Sequence, residues 1–147
     1  MFNIRTIAST GALFAAFGLG AIAAMPAMAE TVTAKLAAAN EVPANPSTGM
    51  GTLEGSFDKQ TKMLNWTVTY SGLTGPVKAG HFHGPAMAGQ NSGVALGFTG
   101  SVDSPIKGTA TLTDAQAADL LASKWYVNLH TAAHAGGEVR GQVVVAP

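Results

Sequence analysis

The chain has 147 residues, with 8 Lys or Arg against 8 Asp or Glu, four His and no Cys. Without Cys there are no disulfides, no thiolate metal ligands and no cysteine nucleophile. Balanced charge with no basic run argues against nucleic acid as a partner. There is no GxSxG, no phosphate-binding glycine loop and no recognisable Ser/His/Asp arrangement, so the common hydrolase and nucleotide motifs are absent as well.

The first 29 residues have the pattern of a secretory leader. Arg5 is the only charge before Glu30, residues Ile7 to Met25 are small and apolar, and Ala27-Met28-Ala29 offers a small-x-small cleavage site. A retained membrane anchor is the rival reading of so long an apolar run. Gly11, Gly18, Gly20 and Pro26 weaken that helix, and no Lys/Arg cluster follows it. The mature protein is therefore expected to begin at Glu30, to be periplasmic or secreted, and to have no membrane contact after cleavage. Its 118 residues carry a formal net charge of −1 and fit one domain.

From Glu30 onward the chain changes character every few residues, as short strands joined by turns do. Val32, Ala34 and Leu36 alternate with Thr31, Thr33 and Lys35. Asn40 to Gly51 is rich in Pro, Asn and Gly and reads as a loop. Leu53, Gly55 and Phe57 alternate with Glu54, Ser56 and Asp58; a polar turn follows at 58–62, and Leu64, Trp66, Val68 and Tyr70 then repeat at period two. That is a hairpin with one face buried. Further strands are expected at Val77 to His83, Gly93 to Phe98, Lys107 to Leu112, Trp125 to His130 and Glu138 to Val145. One short helix, Ala115 to Leu121, is announced by a Thr113/Gln116 capping box. The expected architecture is all-β, a Greek-key β-sandwich or barrel of about seven or eight strands.

All four His fall in two pairs. His81 and His83 flank Phe82, and residues two apart on a strand share a face, so both imidazoles should project together while Phe82 points the other way. His130 ends a later strand with Tyr126 and Asn128 on its face, and His134 follows in the next loop. Imidazoles without thiolate suit Cu(II), Zn(II) or Ni(II). The candidate metal ligands are His81, His83, His130 and His134, with copper favoured over zinc; the alternative is structural or surface histidine. Met87 could add a soft ligand, although such a residue more often fills a gap. Glu138 and Arg140 share a face: either they form a salt bridge that pins the last strand, or Arg140 stands near the histidines and attracts a small anion. Asn40-Glu41-Val42-Pro43 reads as a loop, with a buried Glu41 satisfying backbone donors as the sharper alternative.

Four stretches carry a resemblance: LAAANEVP (36–43), TGMGTLEGSFD (48–58), LNWTVTYSGLTGPVKAGHFHGPA (64–86) and WYVNLHTAAHAGGEVRGQV (125–143). In content and order they resemble the CHRD domain, named after repeats in chordin and frequent in exported bacterial proteins. The resemblance implies a β-sandwich over residues 30–147. His81, His83 and His130 match its motif, whereas His134 and Ala135 depart from the His-Thr-x-x-Asn/Tyr-Pro pattern that usually precedes Gly-Glu. The layout HFHG, NLHT, EVRGQV is also similar to that of copper/zinc superoxide dismutases. That likeness implies His81, His83 and His130 as copper ligands and Arg140 as the catalytic anion guide, in a copper-only form without the disulfide or the zinc loop.

Two functions stay open: an exported copper protein with superoxide dismutase-like activity, or a non-enzymatic extracellular interaction module with structural histidines. Processing can be checked first. Intact mass of the exported protein should correspond to a chain starting at Glu30; a product retaining residues 1–29 would restore the anchor reading.

Overall fold

The computed structural model describes residues 29–147, so the expected leader lies outside the described residues except for Ala29. The elements are β1 (Glu30–Ala37), β2 (Met50–Asp58), β3 (Met63–Ser71), β4 (Val77–His83), β5 (Val94–Gly97), β6 (Ile106–Thr111), α1 (Asp114–Leu121), β7 (Tyr126–Thr131), β8 (Val139–Gln142) and β9 (Val144–Ala146). The strands form one antiparallel sheet in the order β5-β4-β7-β8-β1-β2-β3-β6, with β9 also on β1. The all-β architecture is as expected. The last segment gives two strands instead of one, because the Val143 amide leaves the ladder to bond the Trp125 carbonyl at 2.8 Å. β8 pairs mainly with β7, and β9 with β1.

The period-two residues of β1, β2 and β3 bury Val32, Leu36, Leu53, Phe57, Leu64 and Val68, while their Thr, Lys and Glu neighbours face outward. The two halves of the sheet meet through aromatic rings. Trp66 of β3 lies 5.4 Å from Phe82 of β4, edge to face, and 5.5 Å from Phe98 beyond β5, stacked. Phe82 also touches Phe98 at 5.3 Å and Trp125 at 5.6 Å. Strands far apart in the ladder are thus drawn together, and the sheet curls into a half-barrel around one core.

Helix α1 starts as its capping box predicts: the Thr113 hydroxyl accepts from the Gln116 amide at 3.2 Å, and the Gln116 side chain accepts from the Thr113 amide at 2.9 Å. The Gln116 amide group then donates to the Ala95 carbonyl at 2.8 Å, covering part of the free edge of β5. Among the described residues no helix is long and apolar enough to cross a membrane.

Gly108 of β6 lies opposite Trp66, and a Cβ there would fall inside the indole. Replacing a strand glycine normally helps a sheet. Here Gly108→Ala should instead destabilise by about 1–3 kcal/mol through overpacking, read from the urea unfolding midpoint.

Candidate metal centre

The alternation of β4 decides the site. Phe82 is fully buried in the core, so His81 and His83 leave by the opposite face, both half-buried. In the β4–β7 register His83 stands opposite Tyr126 and His81 opposite Asn128, with His130 two residues further along β7. One ligand nitrogen from each of His81, His83 and His130 can be chosen so that all three lie within 4.8 Å of one another. Nitrogens about 2.0–2.1 Å from a common ion lie at most about 4.2 Å apart. Small ring rotations therefore suffice to gather the three on one metal. His134 is not part of this group; its recorded bonds are main-chain ones that close the turn after β7 with Thr131 and Gly137.

Backbone carbonyls orient two of the rings. His83 Nδ1 lies 3.0 Å from the Ser92 carbonyl, and His130 Nδ1 2.9 Å from the Ala135 carbonyl. A carbonyl only accepts, so each Nδ1 carries the hydrogen and each Nε2 presents a lone pair. The His130 Nε2 lone pair then receives His81 Nδ1–H at 3.2 Å. His83 Nε2 is buried and has no partner. A buried, unmatched acceptor beside two other imidazoles suits a metal ion. Burial, and then the charge of neighbouring histidines, lowers the pKa of His81; burial likewise lowers that of His83 despite its Ser92 bond. Both changes favour the neutral, ligating form.

The outer face of β7 and β8 is covered as well, which sequence reasoning missed. Tyr126 stacks on His83 with ring centroids 4.9 Å apart and planes 3° apart, and the Arg140 guanidinium lies 4.6 Å over the same ring. The Tyr126 hydroxyl accepts from the Ser92 amide at 3.2 Å, fixing the segment whose carbonyl orients His83. Arg140 is only 4% exposed. Its Nε donates to the Asn40 carbonyl at 2.7 Å, and its Nη1 donates to Asn91 Oδ1 at 2.8 Å and the Gln90 carbonyl at 3.3 Å. Two loops are thereby tied down on the sheet. A YxNxH alternation was legible in the chain; the loop carbonyls had no signal.

Glu138 and Arg140 do not pair with each other. Glu138 is fully buried and accepts from Ser47 Oγ (2.6 Å), Thr131 Oγ1 (2.5 Å), the Thr74 amide (2.8 Å) and Thr74 Oγ1 (2.8 Å). Burial alone would raise its carboxyl, yet these bonds outweigh it and hold the pKa down to about 2. Glu41 is buried too, but its partners are side chains and not the backbone donors expected: Asn128 Nδ2 at 2.6 Å and, at 3.9 Å, Arg140 Nε. Here burial prevails over both, and the carboxyl is raised to about 7. Gly137, at φ +130°, lies so close to Glu41 and Asn128 that any side chain would displace them.

The fold and the site together define an antiparallel β domain that displays a half-buried trio of imidazoles on its outer face. The CHRD-domain family profile matches residues 32–143, and the chain belongs to that family. CHRD domains occur in extracellular proteins. Neither the comparison with curated proteins nor that with solved structures returned a match.

The two carboxylates set opposite pH dependences. For Glu138 the folded value lies below the ordinary 4.5, so its contribution is complete above pH 4.5 and is lost as pH falls towards 2. For Glu41 the folded value lies above 4.5, so its contribution is complete below pH 4.5 and is lost as pH rises towards 7. Glu138→Gln should cost about 1–3 kcal/mol at pH 7 and flatten the acid limb. Glu41→Gln should gain on wild type between pH 4.5 and 7. Urea unfolding across pH, read as the difference from wild type, cancels the histidines' own titration.

Proposed function

We propose that this protein is an extracytoplasmic copper-binding module, with His81, His83 and His130 as the ligands. The single observation that carries the reading is the buried His83 Nε2: it has no hydrogen-bond partner, on a ring grouped with two other imidazoles. Nitrogen-only donors without thiolate or carboxylate favour Cu(II), at the top of the divalent affinity order, over zinc. The Ser92 and Ala135 carbonyls would hold the rings in their ligating tautomers, and Tyr126 would keep His83 from turning away. Bound copper would supply a redox-active centre at these three histidines.

Superoxide dismutation is the finer proposal, and it rests on the histidines alone. Arg140 is enclosed beneath two loops and bonded at Nε and Nη1. Those bonds support a clamping task at the loops, separate from the steering of superoxide to a metal at the histidines. One observation favours the second reading, an interaction module with structural histidines: the same two carbonyl bonds would also serve to fasten the loops to the sheet.

Copper titration separates these readings. Metal-free protein should take up about one Cu(II), with the electron paramagnetic resonance signature of a nitrogen-rich tetragonal site. The double change His81→Ala/His83→Ala should weaken binding by at least about 100-fold, and His134→Ala should change it less than about twofold. If the double variant binds copper as tightly as wild type, the site is wrong and the interaction module stands. Copper-loaded protein no more active on superoxide than an unrelated nitrogen-ligated copper protein would restrict the function to copper binding.

A further inference from the structure

A cleft of about 850 Å³ opens on the outer side of β1 and β2, beneath the segment Ala39–Val42 and beside Ala88 and Gly89. We propose that it binds a small organic monocarboxylate, with Arg140 as the anchor. This does not depend on the metal reading.

The case begins with the guanidinium, which cannot give up its charge. Arg140 Nε and Nη1 are bonded to Asn40, Gln90 and Asn91, whereas Nη2 is buried without a partner. Nε spends its one hydrogen on Asn40, so Nη2 is the position left to donate to an oxygen of a carboxylate. Glu41 comes no nearer than 3.9 Å to Nε, beyond hydrogen-bond distance, and Nη2 is left unsatisfied. A buried donor left unmatched is costly. Burial raises the Glu41 carboxyl to about 7, so near neutrality this acid is often uncharged and only partly offsets Arg140.

The surroundings select among anions. Val42 and Val144 give the cleft apolar side chains, and Ala39, Ala88 and Tyr126 form part of its lining. Apolar surface beside a buried guanidinium fits a ligand with a hydrocarbon body and one charged head. The Glu54 carboxylate also lines the cleft and disfavours a multiply charged anion such as phosphate more than a monoanion. Lys35 stands on the same wall and adds a second cation.

Benzoate is a suitable probe, titrated into the full domain with chelator present so that metal plays no part. Saturable binding in the millimolar range or tighter is expected for a ligand of this size. Amide shifts should cluster at Val42, Tyr126, Arg140 and Val144. Arg140→Lys should weaken binding about tenfold, since an ammonium cannot keep the loop bonds of Nε and Nη1 and also supply the Nη2 donor. Because Arg140 is buried and that variant can fold poorly, Val144→Glu provides the second arm. Val144 is 53% exposed, so the change spares the core while placing a negative charge in the cleft wall; binding should fall at least about tenfold. Four results would overturn the proposal: no saturation by about 50 mM benzoate, unchanged binding in Val144→Glu, equal binding of uncharged benzyl alcohol, or equal binding of inorganic phosphate.

Discussion

Much of this structure depends on where one phenylalanine goes. Phe82 belongs to a strand whose side chains alternate, and its ring is the member of the aromatic cluster that touches Trp66, Phe98 and Trp125 at once. Seating it curls the sheet, because one of those partners, Trp66, comes from β3, remote from β4 in the ladder. The same seating sends His81 and His83 out through the opposite face. Core formation and site formation are thus one event: a shift of β4 by one residue would bury the histidines and expose the ring.

The opposite face carries a second layer, held by polar contacts. Glu138 gathers Ser47, Thr74 and Thr131, while Arg140 gathers Asn40, Gln90 and Asn91. The two residues lie two apart on one segment, yet each fastens a different set of loops. That division explains why Tyr126 and Asn128 are buried although they point away from the apolar core. It also explains how loop carbonyls come to orient the histidines. Orientation of the site is therefore distributed: Phe82 sets the face, Tyr126 the His83 ring plane, and Ser92 and Ala135 the tautomers.

Burial has opposite outcomes for the two buried acids, and the difference lies in donor count. Glu138 receives four short hydrogen bonds and stays charged, whereas Glu41 receives one from Asn128 and a distant guanidinium and is pushed towards neutrality. A carboxylate strapped by donors is a permanent structural anion. One that is enclosed with few donors leaves its cationic neighbour incompletely compensated, and Arg140 is that neighbour.

Local pattern was enough for the strands of the β2–β3 hairpin, for the extent of β4, for the capped helix and for the outward pairing of His81 with His83. Each follows from side-chain period or capping chemistry within a few residues. CHRD membership was also legible, because its motifs run in order along most of the chain. The break at Val143 depended on a bond to Trp125, and the burial of Arg140 depended on two loops arriving from Asn40 and Gln90–Asn91. The union of His130 with the first pair, and the separation of His134 from it, required the β4–β7 register. These contacts join residues 18 to 100 positions apart. Which carbonyl meets which imidazole, and which acid meets which donor, is set by strand pairing and loop closure in three dimensions, and period and composition contain no term for either.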